Sequence, residues 1–593
     1  MQRRSVLKFL GISGVALATG KSKAEARLFQ SEAGSPTPFA TFNQVGYLPK
    51  ADKIASLPLP ADAAGGEFQI VTDPDGKVAF HGQLSAVMND EASGDRVELA
   101  DFSKFTTPGM YRLTARGQRS ARFIISKEVY RDPLRLAMRS YYGQRCGCAV
   151  DLGNGYKHAA CHMDGGFHAS SGKADSGKPG AMKNTGGWHD AGDYGRYVVN
   201  SGISTGTLLW AWELFPQALH DLRLDIPESG GKVPDVLAEI RWNLDWMLSL
   251  QDEDGGVWHK QTSEQFCGFI MPEEDKLTSF VIGTGEAPYK STCATADLAS
   301  VAAIAARCFA PYDAAYASRC LAAAKRAFAW AAAHPDVPFA NPKGVGTGEY
   351  GDKDCRDELL WAAAELWRTT GDAAYEKAFL ASAKAIPPGT DLWVPSWPGV
   401  ASLGFWTYLM AKHKSSAERQ SDELRKQILE RTRSTAETLV ARQKLNGYGN
   451  TMGPEDFSWG SNSVAANQSL LLLMADHFHG EPGWREAAVG NLHYLLGRNC
   501  FGVSWVTQVG SNPFQRPHHR PSIADNITAP WPGLLSGGPN GRHPGDDVAR
   551  TFPKMPPMRM WADNQLAYSM NEVAINWNAP LVFLLAAAQA TSG

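Results

Sequence analysis

No apolar run in the sequence reads as a bilayer-spanning segment. The most apolar stretch near the start of the chain ends at about Thr19, well short of the roughly 20 residues a membrane helix needs, and Gly11, Gly14 and Gly20 interrupt it. No later segment qualifies, so no membrane span is expected. An excess of charge is also missing. The 58 basic and 61 acidic residues leave a formal charge of −3, which gives no global attraction to phosphate backbones or anionic membranes, and nucleic acid is not an expected partner. Cysteines number nine, an odd count, so they cannot all pair. No clean internal repeat is visible, and no appended binding module is expected.

What is present is a long, core-forming sequence. With 593 residues, 44% of them hydrophobic, the chain exceeds one ordinary domain and can bury a large core. Its 18 tryptophans suit either that core or the flat faces of pyranose rings. Residues 1–26 resemble an address. Arg3 and Arg4 precede the mildly apolar run, and Ala24-Glu25-Ala26 fits an A-x-A cleavage site. A twin-arginine signal, export to the periplasm or beyond, and a linker over 27–37 are therefore expected.

Two textures follow. Over 38–126 the chain predicts short strands. Phe68-Gln69-Ile70-Val71-Thr72 and Lys77-Val78-Ala79-Phe80 flank the turn Asp73-Pro74-Asp75-Gly76, and 110–114 and 122–125 have strand content, which together suit a small β-sandwich. From 127 to 593 the pattern becomes helical, with starts near 134, 197, 233, 293, 313, 356, 373, 399, 421, 463, 483 and 578. Twelve helices in pairs predict a mostly α fold, an (α/α)6 barrel of six inner and six outer helices. The loops at 251–292, 386–398 and 500–562 exceed ordinary connections and are expected to build function.

Two acidic strings stand out. Gly186-Gly187-Trp188-His189-Asp190-Ala191-Gly192-Asp193-Tyr194-Gly195-Arg196-Tyr197 sets Asp190 and Asp193 on a glycine-freed turn before a long apolar segment. In Tyr568-Ser569-Met570-Asn571-Glu572-Val573-Ala574-Ile575-Asn576-Trp577, apolar neighbours flank Glu572, an environment that raises a carboxyl pKa and suits a general acid. These strings, with Asn512-Pro513-Phe514-Gln515-Arg516-Pro517-His518-His519-Arg520-Pro521-Ser522 between them, closely resemble the three signature regions of glycoside hydrolase family 9, the inverting β-1,4-glucanases. Asn43-Gln44-Val45-Gly46-Tyr47-Leu48-Pro49 is similar to the opening of the immunoglobulin-like domain that precedes the barrel in one branch of that family.

The resemblance implies hydrolysis of β-1,4-glucan or cello-oligosaccharides with inversion. It implies Glu572 as general acid, Asp193 as general base and Asp190 orienting the water. It also implies His518 and Arg520 in the cleft, Trp258 as a candidate sugar platform, and Asp563 and Tyr568 in support. A further family acid is replaced here by Asn564. The same family also admits an exo-acting cellodextrinase or a glucosaminidase. Other classes, a lyase on the same barrel or a glycan-binding protein without chemistry, would leave the acid triad surplus.

Metal sites are also expected. Cys146, Cys148, Cys161 and His162 cluster in sequence, with His189 beside the acidic turn, and a tetrahedral Cys2His2 zinc site needs that mixture. A Cys146–Cys161 disulfide is the alternative. Folding before export, in a reducing compartment, favours metal. The resemblance assigns Cys146, Cys161, His162 and His189 to a structural zinc, with Cys148 the rival for the first position. Asp352, Asp354 and Asp357 are spaced to wrap a calcium, which the family often binds in this region; acidic capping of the helix starting at 356 is the alternative. A monomer is expected.

Overall fold

The computed structural model describes residues 38–590 apart from 61–63, 169–175, 387–392, 416 and 543–544. The signal and linker expected over 1–37 lie outside the described residues.

Nine strands come first: β1 (Gly46–Tyr47), β2 (Ile54–Pro58), β3 (Glu67–Thr72), β4 (Val78–Gln83), β5 (Met88–Asn89), β6 (Arg96–Asp101), β7 (Gly109–Ala115), β8 (Gln118–Arg119) and β9 (Phe123–Ile125). One sheet runs β1-β9-β7-β3-β4 with β8 attached to β7, and the other runs β2-β6-β5. Alternation decides which side chains face inward. In β7 Tyr111, Leu113 and Ala115 are buried while their neighbours are not, and they meet Phe68, Ile70, Leu57 and Phe123 between the sheets. The sandwich sits on the helical part through buried polar contacts: Ser56 Oγ donates to Gly447 O at 2.6 Å, and Asn43 Nδ2 lies 2.9 Å from His493 Nδ1.

Twelve helices of ten residues or more follow among the described residues: α1 (Arg131–Gly143), α2 (Val198–Leu214), α3 (Asp235–Ser249), α4 (Thr292–Phe309), α5 (Ala314–Ala333), α6 (Arg356–Thr370), α7 (Ala373–Ala385), α8 (Ala401–Met410), α9 (Glu418–Lys444), α10 (Ser461–His479), α11 (Pro482–Leu495) and α12 (Ile575–Ala590). The even-numbered helices are inner. Packing runs α2 to α4 to α6 to α8 on one side and α2 to α12 to α10 on the other. Burial follows that division. α2 and α12 are buried nearly all round, whereas α9 buries only Ser421, Ile428, Thr432, Thr435, Ala436 and Leu439 along one stripe. By length and composition α4 could cross a membrane, but here it is an inner helix with 94% of its residues buried in the protein.

The helical pattern gives no hint of a small sheet inside the barrel loops. Strands β10 (Gly166–His168), β11 (Ala181–Met182), β12 (Arg196–Tyr197), β13 (Lys260–Thr262) and β14 (Phe280–Ile282) are ordered β11-β10-β14-β13-β12. Three of these strands lie in the connection between α1 and α2 and two in that between α3 and α4. The sheet joins the acidic turn to the 251–292 loop through the pairs Arg196↔Gln261 and Tyr197↔Lys260.

Candidate active site

Three backbone hydrogen bonds bring together strings far apart in sequence. Arg520 N–H donates to Gly192 O (3.2 Å), His518 N–H to Asn571 O (2.8 Å) and Ile575 N–H to Asp190 O (2.8 Å). The approach is so close that a Cβ at Gly192 would stand 1.9 Å from His518 O, and only glycine fits there. Gly187 opens the turn at φ +80°, with its missing Cβ facing the Trp246 indole. Behind the turn, the Gln144 amide donates to Ala191 O at 2.9 Å, and its oxygen faces His519 Nε2 at the same distance.

The three carboxyls have different surroundings. Asp190 is buried with both oxygens occupied: Oδ2 accepts from Tyr350 Oη at 2.6 Å and Oδ1 from Asn200 Nδ2 at 2.5 Å. Burial, reinforced by the Asp193 charge, pushes it up to about 7 against those two donors. Asp193 is 8% exposed. Its Oδ2 accepts from Gly195 N–H (2.9 Å) and Tyr197 Oη (3.3 Å). Burial raises it, and the Arg520 charge opposes the rise. Glu572, paired with His518 in a short parallel bridge, is raised well above the usual carboxylate range, first by burial and then by the Asp193 and Asp190 charges.

The other expected residues divide. His518 Nδ1 lies 2.8 Å from Gln565 O, so that nitrogen carries the hydrogen and Nε2 is the acceptor. Asp563 accepts from the N–H groups of Gln515 and Arg516 at 2.8 and 2.7 Å, and so props the histidine loop. Tyr568 donates to Gly545 O, with its ring 5.7 Å from His518. Arg520 has other partners than sugar hydroxyls. Its guanidinium donates to Gly192 O (2.8 Å), Cys267 O (2.9 Å) and Gly268 O (3.2 Å), clamping the acidic turn to the 251–292 loop. Trp258 is not the expected sugar platform. It is 2% exposed, donates to Ser176 O at 2.9 Å and packs against His168, with the Lys178 and Lys290 ammonium groups over its ring.

Sequence reasoning missed several residues. Tyr350 and Asn200 hold Asp190, and Tyr197 holds Asp193. Trp459, 38% exposed with its ring 5.5 Å from Tyr568, offers an open indole face, and Phe266 and Phe269 flank the Arg520 guanidinium. The aromatic count signals that such faces exist but not where.

Cys146, Cys161, His162 and His189 converge, with their ligand atoms all within 4.8 Å of one another. Cys146 Sγ is 3.6 Å from His162 Nδ1, and Cys161 Sγ is 4.0 Å from His189 Nε2. Two thiols and two imidazoles at these separations fit a tetrahedral metal site, and Asp275 Oδ2, 3.4 Å from His162 Nε2, is the outer carboxylate that orients such a histidine. Cys148 is not in the group. Cys146 and Cys161 are free thiols, so the disulfide alternative falls. The disulfide of the described structure, which the spacing of cysteines does not reveal, joins Cys293 of α4 to Cys355 ahead of α6.

The second expected metal group changes membership. Asp354 points outward in an ion pair with Arg356 and leaves the set. Asp357 Oδ2 accepts from Val400 N–H at 2.7 Å. Asp352 Oδ2, Asp297 Oδ1 and both oxygens of Glu358 are buried without a hydrogen-bond partner among the described residues. Burial, and after it the charges of neighbouring carboxylates with Asp357 foremost, raise Asp297 and Glu358 well above the usual carboxylate range.

Comparison with known proteins now decides the family. Residues 130–585 match the model of glycosyl hydrolase family 9, and 37–120 match the cellulase N-terminal ig-like domain. The chain belongs to glycoside hydrolase family 9. Endoglucanase D of Acetivibrio thermocellus is 36% identical over 558 residues, which cover 92% of this chain and 82% of that protein. The cellodextrinase of Butyrivibrio fibrisolvens is 36% identical over 563 residues, covering 92% and 98%. A crystal structure of a metagenome-derived family 9 endoglucanase superposes with a TM-score of 0.84 at 38% identity, covering 93% of this chain and 99% of that one. This family 9 hydrolase thus shares its relatives' architecture over nearly its whole described length.

Proposed function

We propose that the enzyme hydrolyses β-1,4-glucosidic bonds of glucan chains or cello-oligosaccharides with inversion, Glu572 acting as general acid and Asp193 as general base. The observation that carries the assignment is the unequal occupancy of the two aspartates. Each oxygen of Asp190 already accepts from a neighbour, Tyr350 or Asn200, whereas the donors on Asp193 converge on Oδ2, which leaves Oδ1 to take a proton from water. Glu572, raised by burial and two nearby carboxylates, keeps the proton that the leaving oxygen needs. His518 Nε2 accepts from a sugar hydroxyl, and Trp459 and Tyr568 offer faces to the ring. A product time course on cellohexaose and carboxymethylcellulose tests this. Reducing ends without unsaturated sugar are expected, and an unsaturated product would contradict hydrolysis. An early viscosity drop separates endo cutting from the exo action of a cellodextrinase.

Cys146, Cys161, His162 and His189 would hold zinc, whose four protein ligands leave no open position and make its role structural. His189 adjoins Asp190, and its N–H donates to Gln144 O at 2.6 Å, so the site fixes the root of the acidic turn. About one zinc per chain is expected by metal analysis. Cys161→Ser should lower the thermal midpoint by at least about 5 °C, since such sites contribute folding free energy directly. Chelation should lower stability and activity together, with both restored by added zinc. A metal-free protein of unchanged midpoint would contradict this.

The acidic group would hold calcium through Asp297, Asp352, Asp357 and Glu358. Without the cation, Asp297 and Glu358 bind protons more tightly folded than unfolded. Stability should then fall as pH rises from about 4 toward their raised values. Melting scans across that window with chelator and with calcium check it: the fall should appear with chelator and flatten with calcium. Identical curves would remove calcium from the account.

A further inference from the structure

Lys260 is fully buried in β13, directly opposite Tyr197 of β12, and its ammonium donates to three neutral oxygens: Asn341 Oδ1 (2.7 Å), Gly348 O (2.7 Å) and Thr347 Oγ1 (3.1 Å). None of the three is a carboxylate. Among the described residues Lys260 has no ion-pair partner, and a cation buried in that way costs stability, so its presence calls for a compensating role. That role is visible in what the ammonium holds. The segment 347–350 supports both aspartates: Gly348 N–H donates to Tyr197 Oη (3.1 Å), which donates to Asp193, and Tyr350 Oη donates to Asp190. His259, the residue before Lys260, secures the next carbonyl, its Nε2 donating to Glu349 O at 2.9 Å. Tyr350 sits at φ +45°, a conformation that non-glycine residues seldom adopt and that anchors on the preceding residues can maintain.

We propose that Lys260 is a positioning residue for the base, acting through Gly348 and Tyr197 on Asp193 and adding a buried positive charge that favours the Asp193 carboxylate. The inference rests on the reading of Asp193 as base. Around Asp193, Arg520 and Lys260 favour the anion, Asp190 and Glu572 disfavour it, and Gly195 N–H and Tyr197 Oη donate to it. Around Lys260, Asp193 and Glu349 favour the ammonium, against a burial that brings it down to about 7.

Four variants in one assay test this on the full chain: Lys260→Met, Tyr197→Phe, the double variant that combines these two, and Asp193→Asn. Lys260→Met should lower kcat on a soluble glucan by about 10- to 100-fold with little change in KM, the size expected of a misplaced reacting group. The acidic limb of kcat/KM should move to higher pH, because losing the cation raises the Asp193 pKa. Tyr197→Phe removes one hydroxyl of the relay and should shift the same limb the same way. The double variant should lose little more than the worse single one. If Lys260→Met fails to fold, the limb of Tyr197→Phe decides. An acidic limb unmoved in the folded variants, a change confined to KM, or additive losses would overturn the proposal. If instead Asp193→Asn keeps full activity, the base assignment has failed, and the inference falls with it.

Discussion

Replacing Glu572 with Gln is expected to reduce cleavage of natural β-glucan by about a thousandfold, within the usual range for removing a general acid. The glucosyl leaving oxygen must be protonated as the bond breaks. Glu572 can supply that proton because burial and the charges of Asp193 and Asp190 hold its carboxyl neutral where an ordinary glutamate is ionised. An aryl cellobioside with a strongly acidic phenol needs no such proton, so its turnover should fall far less. The alkaline limb of the pH profile should also vanish. In the parent enzyme activity is lost as pH rises through the elevated Glu572 pKa; the amide has no proton to lose. Equal losses on both substrates would remove Glu572 from the acid role.

Asp193→Asn should have an effect of similar size on every substrate, aryl glycosides included, because water must be deprotonated whatever leaves. Asp190 is less well placed to take over, since each of its oxygens already accepts a hydrogen bond, from Tyr350 and from Asn200, whereas the donors to Asp193 meet at Oδ2 alone. A small anion such as azide should restore part of the turnover by attacking without a base. Full activity in this variant would end the assignment.

Much of the architecture was legible because it rests on periodicity. Each of the twelve helical starts read from apolar spacing falls within a few residues of a helix, and the hairpin around Asp73-Pro74-Asp75-Gly76 forms where its turn residues stand. The three long strings could be read as site material because they meet through backbone bonds at Gly192, His518 and Ile575, which their glycines and prolines prepare. The rest depends on contacts across the chain. Nothing local distinguishes Trp258, buried against His168 and Ser176, from Trp459, open beside Tyr568. An arginine in a cleft motif suggests hydroxyl recognition, yet Arg520 spends its donors on three carbonyls that become neighbours only after folding. The spacing of Asp352, Asp354 and Asp357 did not show that helix α6 turns Glu358 inward toward Asp297 of α4 while Arg356 draws Asp354 away.

The central claim is a direct displacement by water, activated by Asp193 and assisted by protonated Glu572. Proton NMR of the anomer released from cellohexaose in the first minutes, before mutarotation equilibrates it, tests that claim most directly. The account predicts that the α-anomer appears first at the newly formed reducing end and decays toward equilibrium. Initial release of the β-anomer would mean retention through a covalent intermediate and would contradict the assigned roles.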